Sequence, residues 1–428
     1  MRLKPDELAM LNGEEGELRQ EAMKFLVKLG EAYGAEEMVD IKFAFTFMFG
    51  LLADVDPEKL PRILDRRLYE DFINEGRKVK VPSVGGLDGE DPDFWEEMGV
   101  PPEMHESYLR NFELERKLGI HYVGSCTPYM VIDMNIPLLG ESIITVESSA
   151  ITYFNSVLGA RCERCGIASL LSAITGKYPK IGFHLDENRY ATVQIDVKVP
   201  LEGILDFGCL GQFTGELCGM DVPVFTGIKK ANNPELMAIS ASIATGGAVS
   251  LYHIPGITAE FRTTEEALNN KAPLKRVTFG EEELKAMYAR WAGTKGEKVD
   301  TVFIGCPHPN LYQLGEIAGW MRGKKKADDV LCMINVSHTT KVMGEKMNYV
   351  QEIKDTGAWL LSGTCPIISN GIPGPNYVQA NPDYTTGTFV TDSVKAAEYA
   401  KTSLGARKVI IGSTESCIKA AVSGRWEG

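Results

Sequence analysis

From Val299 onward the chain alternates short apolar runs with longer amphipathic ones in a steady rhythm. Val299–Gly305, Val330–Asn335, Ala358–Leu361 and Lys408–Ile411 read as strands. Leu311–Arg322, Thr339–Lys354, Ser393–Leu404 and Ser416–Val422 read as helices, with apolar residues recurring at three- and four-residue steps. Strands separated by helices need crossover connections, and the sheet they build is mainly parallel and flanked by helices. The first half keeps the same rhythm less crisply. A helix is predicted over Pro5–Ala35, broken at Gly13 and Gly16, after which the apolar stretch Ile41–Leu52 leads to a helix over Pro57–Glu75. A strand at Lys78–Pro82, helical Asp91–Leu118 and a strand running up to Cys126 follow. The middle section predicts helices at Ile151–Gly159, Ser169–Thr175 and Met237–Ala244. It also predicts a strand with one wet face from Ala191 and another strand at Ala248–His253. A charged stretch from Thr263 to Asp300, broken by a helix at Glu281–Trp291, marks a boundary. The expected organisation is a multi-lobed α/β protein: an N-terminal lobe over 1–262 and a C-terminal lobe over 263–428. The Gly/Pro/Asn-rich loop Pro366–Thr388 is long enough to suggest a lid or a surface excursion.

In such folds ligands gather at the carboxyl ends of strands. Three cysteines fall there: Cys126 in Tyr-Val-Gly-Ser-Cys-Thr-Pro, Cys306 in Phe-Ile-Gly-Cys-Pro-His, and Cys365 in Leu-Ser-Gly-Thr-Cys-Pro. Each follows a glycine- or serine-bearing turn and precedes a proline, which restricts the backbone beside the sulfur, as in ferredoxin-type Cys-Pro ligands. Two readings stand side by side: three thiols that merely end buried strands, or three ligands of a metal centre with one position open. Cys126 and Cys365 belong to the N- and C-terminal lobes, so the second reading requires both lobes to face one site.

The start of the chain lacks the apolar core of a signal peptide, and no apolar run reaches bilayer length. The expected location is therefore cytoplasmic, where nine cysteines are buried, catalytic or metal-bound rather than paired. A net charge of −13 argues against a nucleic-acid or acidic-membrane surface. Cys209, Cys218 and Cys332 read as apolar fillers. Cys162-Glu-Arg-Cys165 is the one Cys-x-x-Cys, a spacing that suits a redox pair, two metal ligands or chance. Walker, dinucleotide-binding, zinc-protease and nucleophile-elbow motifs are absent from the sequence. Gly412-Ser-Thr-Glu-Ser offers either an anion site or a plain helix cap. His308, two residues past Cys306, is a candidate acid/base or supporting group, with His184 and His253 as alternatives.

Ser125-Cys-Thr-Pro-Tyr, Glu147-Ser-Ser-Ala, Asn155-Ser-Val-Leu-Gly-Ala-Arg161, His184-Leu-Asp-Glu-Asn-Arg, Leu251-Tyr-His and Ile304-Gly-Cys-Pro-His together resemble aconitase X, in order and over nearly the whole chain. The resemblance implies aconitase-like three-layer α/β units and a hydro-lyase with an iron–sulfur cluster, 4Fe-4S with an open iron or 2Fe-2S. It implies the large-subunit type, completed by a separate small subunit that supplies the catalytic base. Substrates implied are cis-3-hydroxy-L-proline, mevalonate 5-phosphate or a related hydroxy acid. Cys126, Cys306 and Cys365 become the implied cluster ligands. Ser148, Ser149, Asn155, Ser156, Arg161 and Arg164 fall in the segment that builds the substrate site, the two arginines as a carboxylate clamp, and a terminal motif maps to Thr391-Asp-Ser-Val-Lys395. His308 and Lys395 are the expected catalytic groups. Where the family reads Gly-Ala-Arg-Thr-Asn-Arg-Glu-Gly-Gly-Pro, this chain has Gly-Ala-Arg161-Cys-Glu-Arg164-Cys-Gly-Ile-Ala, and Asp392 stands for the usual Asn. That departure implies a different substrate, a homologue that has lost the chemistry, or a thiol enzyme using Cys162 and Cys165.

Overall fold

Three parallel sheets carry the chain in the computed structural model, which describes residues 1–46, 62–130, 137–370 and 387–428. The first has five strands in the order Ile120–Tyr122, Ser83–Gly85, Ala44–Thr46, Ser142–Thr145, Arg161–Arg164. The last also has five, in the order Trp359–Ser362, Leu331–Val336, Thr301–Ile304, Thr388–Thr391, Lys408–Ile411. Counted along the chain within each sheet, both run 3-2-1-4-5, so the two sheets are built to one plan. Between them in sequence, Val193–Val197 is flanked by Lys275–Phe279 and Pro223–Thr226. A short antiparallel pair, Met38–Asp40 with Lys177–Pro179, closes the edge beside the N-terminal helices.

Why these segments take these forms is local in most cases. Helices Pro5–Leu11 and Glu17–Ala32 are separated as the glycines predict, with Gly16 at φ 93°, a conformation that disfavours any side chain. Asn310, Ser337, Ser393 and Ser413 each turn a side-chain oxygen onto the first turn of the helix that follows a strand of the last sheet. The predicted helix Thr339–Lys354 is two helices, His338–Lys346 and Tyr349–Lys354, because Asn348 adopts φ 64° between them. One continuous core contains Phe45 and Ile143 from the first sheet, Ile195 and Phe225 from the middle one, and Phe303 and Phe389 from the last.

Several expectations are corrected. The lobe boundary at 262/263 cuts through the middle sheet, since Lys275–Phe279 bonds in register with Val193–Val197. The strand predicted at Lys78–Pro82 starts only at Ser83, and Ala248–His253 contributes a single bridge, Val224 with His253, rather than a strand. Val193–Val197 has no wet face. All five residues are buried, because Gln194 and Thr226 donate to Asp196 and Arg276 pairs with it, covering the polar side. Helix Gly203–Cys218 escapes the sequence reading because it is rich in glycine, a poor helix former. Those glycines serve contact instead. A Cβ on Gly211 would lie 2.8 Å from the Ile239 carbonyl, and one on Gly215 2.6 Å from that of Ile243, so only glycine lets this helix touch Asn233–Gly247. Strand Thr388–Thr391, also unanticipated, lies at the end of the long loop. Residues 371–386 of that loop, and 47–52 of the early apolar stretch, lie outside the described residues.

Candidate active site

The two five-stranded sheets turn their carboxyl edges toward one cavity of about 430 Å³. From the first sheet come Leu87, Cys126, the Val146-Glu147-Ser148 turn, Gly166 and Ile167. From the last come Gly305, Cys306, Pro307, Cys365, Ile367, Ile368 and Lys395. All three strand-end cysteines therefore line a single space. The sheets are tied beside it by the edge strands. Ser362 donates its amide to Asp91 (2.7 Å), the Asp88 amide bonds the Gly363 carbonyl (2.8 Å), and the Tyr122 hydroxyl reaches that same carbonyl (3.3 Å).

Cys126 is buried, while Cys306 and Cys365 are half-buried. Burial pushes all three thiols up, Cys365 to about 11 and Cys306 to about 12. Lys395 acts against that rise at each of the three, whereas the Glu147 carboxylate adds to it.

The cavity's charged wall is an ion pair. Lys395 Nζ lies 2.9 Å from Glu147 Oε1, both side chains nearly buried, with the ammonium 5.8 Å from the Tyr399 ring centre. Its placement follows from the shared strand order. Glu147 caps helix Ser148–Ser156 after the fourth strand of the first sheet, accepting from the Ser149 amide and hydroxyl. Lys395 lies in the first turn of Val394–Thr402 after the fourth strand of the last sheet. A cation in a first turn opposes the helix dipole, whereas an anion at an N-cap is favoured by it. The acid thus compensates the base. Burial raises the Glu147 carboxyl, but Lys395 and the Ser149 bonds outweigh it and leave it below its usual range; burial opposes the Lys395 charge, yet Glu147 holds it firmly protonated.

The other expected residues divide. Ser148 lines the cavity. Ser149 is occupied by Glu147, and the Ser156 hydroxyl accepts from the Tyr252 amide. Asn155 is saturated: it donates to the carbonyls of Cys162 and Ser250 and accepts from the Cys162 amide and Arg189. Arg161 is bound by Asp186 and Glu260, and buried Arg189 shares Glu260 with it. Neither guanidinium lines the cavity, so the carboxylate clamp expected of Arg161 is not what its geometry provides. Arg164 closes its strand opposite Thr145; its side chain lies outside the described residues.

Cys162 packs into the core that spans all three sheets, and Cys165 against a separate core under the N-terminal helices. Burial raises both thiols, which opposes the thiolate a thiol enzyme requires. Neither lines the cavity. His184 and His253 are buried too, bonded to the Ser142 hydroxyl and the Arg189 carbonyl. His308 is buried behind Cys306 and does not line the cavity. Glu147 is the functional candidate that the sequence reading passed over. Its signal was a Glu-Ser-Ser start to a helical run, an N-cap pattern that conceals a second role.

Asp392 faces a second cavity of about 410 Å³ on the far side of Cys306. It accepts from Thr414 Oγ1 at 2.7 Å, and burial raises it from 3.8 to about 6. Between those values the folded chain holds a proton that the unfolded chain has lost, so this group lowers stability as pH rises from about 4 to about 6. Asp392→Asn keeps an acceptor for Thr414 and removes the buried charge. It is expected to raise stability by about 1–3 kcal/mol at pH 8 and by little at pH 4, measured as denaturant midpoints at both pH values.

Comparison with known proteins agrees with this architecture. Models of the aconitase X first, second and third domains match residues 1–187, 191–289 and 299–423. The phosphomevalonate dehydratase large subunit of Methanocaldococcus jannaschii is 33% identical over 98% of this chain and 100% of its own length. The cis-3-hydroxy-L-proline dehydratase of Pseudomonas aeruginosa is 27% identical over 99% of this chain and 70% of its own length. The crystal structure of Thermococcus kodakaraensis aconitase X in its holo-form superposes with a TM-score of 0.81 at 32% identity, covering 98% of this chain and all of that one. The matched domains also end one another where the sheets do, with the middle sheet inside 191–289. The chain belongs to the aconitase X family and is a hydro-lyase of that type.

Proposed function

We propose that this chain is the large subunit of a hydro-lyase that removes water from a small hydroxylated carboxylic acid. In this reading Cys126, Cys306 and Cys365 hold an iron–sulfur cluster, and a separate small subunit supplies the catalytic base. The observation that carries it is the convergence of three thiols, from two sheets, on one cavity beside Lys395 and Glu147.

The donor set fits such a group. Among the described residues no three His, Cys, Asp or Glu side chains stand close enough to grip a single metal ion. The three thiols surround a space instead of meeting at a point. A 4Fe-4S cluster, the expected form, would take the three thiolates on three different irons, which suits that spread, and would leave its fourth iron without a protein ligand; a 2Fe-2S form, the alternative, would need two of the thiols on one iron. Bound there, a cluster supplies Lewis acidity toward a leaving hydroxyl. Binding must expel protons from thiols that burial has raised, and Lys395 favours that step at all three.

The chain's own residues do the rest. Lys395 is the cation on the described cavity wall, and it orients a substrate carboxylate while Glu147 fixes the position of its ammonium. The Ser148 hydroxyl offers a hydrogen bond at a helix start. Ile167, Ile367, Ile368, Leu87 and Val146 cover the remaining wall, exclude water and receive the carbon skeleton. Relatives named as large subunits and as whole dehydratases supply the candidate substrates: mevalonate 5-phosphate, cis-3-hydroxy-L-proline, or a related acid whose apolar part faces Ile167.

Anaerobic co-expression with the matching small subunit tests this reading. The complex is expected to dehydrate one of these hydroxy acids, and the large chain alone to turn over none. Full turnover by the isolated chain would remove the partner from the account. A complex that carries iron yet acts on no hydroxy acid would remove the reaction.

A further inference from the structure

We infer that His308 is a positioning residue that bolts together the three loops carrying the cysteines, rather than an acid or base that meets substrate. This rests on the reading of those cysteines as cluster ligands. His308 follows Cys306 by two residues, is 1% exposed, and stays behind the cavity wall formed by Gly305, Cys306 and Pro307. From there it reaches both other cysteine loops. Its backbone amide donates to Cys126 Sγ at 3.4 Å. Its ring Nδ1 lies 3.4 Å from the hydroxyl of Ser125, the residue before Cys126. Its Nε2 lies 3.3 Å from the carbonyl of Thr364, the residue before Cys365.

The donor and acceptor roles follow from the partners. A carbonyl only accepts, so Nε2 carries the hydrogen and, in the neutral ring, Nδ1 accepts from the Ser125 hydroxyl. The Ser125 oxygen is left to accept from the Thr127 amide at 3.0 Å, and Thr127 Oγ1 lies 2.9 Å away. The Thr364 carbonyl takes a second bond from Asn335 Nδ2 at 2.7 Å, anchoring it to the last sheet. One polar chain therefore runs from Thr127 through Ser125 and His308 to Thr364. It crosses from the first sheet to the last and touches the loop of every cysteine. Three sulfurs delivered by separate loops keep a fixed spacing only if the loops are tied to one another. His338 braces two of the same connections farther from the sulfurs, its Nδ1 2.9 Å from the Ser362 hydroxyl and its amide donating to the Val123 carbonyl, whereas His308 bonds the residues next to Cys126 and Cys365 and itself belongs to the Cys306 loop.

Two measurements on the full chain with its partner test this. The first is the rate of iodoacetamide alkylation at each thiol of the metal-free protein, read by mass spectrometry with buried Cys332 and Cys417 as internal references. The second is iron and sulfide per chain, with the absorption spectrum, after anaerobic reconstitution. His308→Ala is expected to speed alkylation of Cys126 and Cys365 about tenfold over the references and to lower cluster content at least twofold. His308→Gln, which keeps an N–H within reach of Thr364, is expected to leave Cys365 slow and speed Cys126 alone. If His308→Ala alkylates at native rates and loads a native cluster, the inference is overturned, whether turnover survives or not. If His308→Ala unfolds, so that Cys332 and Cys417 also react, the Gln variant decides: equal behaviour of Cys126 and Cys365 there overturns it. Should the native protein take up no cluster, the cofactor reading fails, while the alkylation comparison still judges the bolt.

Discussion

Replacing any one of Cys126, Cys306 and Cys365 by serine is expected to strip the purified complex of most of its iron and sulfide and to lower turnover by at least about a hundredfold. A hydroxyl keeps the shape of the thiol but is a poor ligand for iron in a sulfide-rich cluster. The three positions are expected to behave alike although they lie in different loops, because each closes a strand that ends at the same cavity. Cys332→Ser and Cys417→Ser are the controls. Both thiols are fully buried in the core of the last sheet and line neither cavity. Their replacement is expected to cost stability and leave iron content unchanged. Iron and sulfide analysis beside a denaturation curve separates the two classes.

Lys395→Met is expected to have the second-largest effect, and a double one. Removing the ammonium leaves the Glu147 carboxylate nearly buried without its partner, which should cost about 3–5 kcal/mol of stability. It also removes the described cavity's cation, which in the proposed function orients the substrate, and turnover should fall by about a hundredfold. Glu147→Gln added to Lys395→Met tells these apart, since the amide still accepts from Ser149 and bears no charge. The double variant should regain most of the lost stability and none of the lost turnover. Were turnover to return with stability, Lys395 would be a structural cation and nothing more. Denaturant midpoints and initial rates of the four proteins complete the cycle.

The sequence made the last sheet legible almost strand by strand, because each apolar run is bounded by a glycine or a capping residue that stops it. Its strand Thr388–Thr391, between Thr301–Ile304 and Lys408–Ile411, was the exception. Four residues after a loop rich in glycine, proline and asparagine carry too little pattern to separate a strand from loop. The middle sheet was obscured for the opposite reason: glycines that permit two helices to touch look, in one dimension, like breaks in a helix. At the site, the convergence of the three cysteines on one cavity was readable from their places at strand ends, since in parallel sheets that edge is shared. Arg161 was not readable. A guanidinium in a family motif is as apt for Glu260 and Asp186 as for a substrate carboxylate, and only folding brings those acids, 99 and 25 residues away, to its side. The Glu147 pair with Lys395 spans 248 residues and has no local signature beyond a helix cap.

The departure over 161–168 also takes a physical form. Cys162 and Cys165 fill two different cores and stay off the cavity wall, whereas Ile167 stands on it. Under the proposed function, a change confined to these positions alters the space offered to the substrate's carbon skeleton more than it alters the chemistry beside the thiols.

The most direct test is an anomalous difference map at the iron edge from crystals of the complex grown without oxygen. The account predicts iron density within bonding reach of the sulfurs at 126, 306 and 365, all on one centre, with the ammonium at 395 facing the same space. Iron held instead by the thiols at 162 and 165, or three sulfurs that never share a centre, would contradict it.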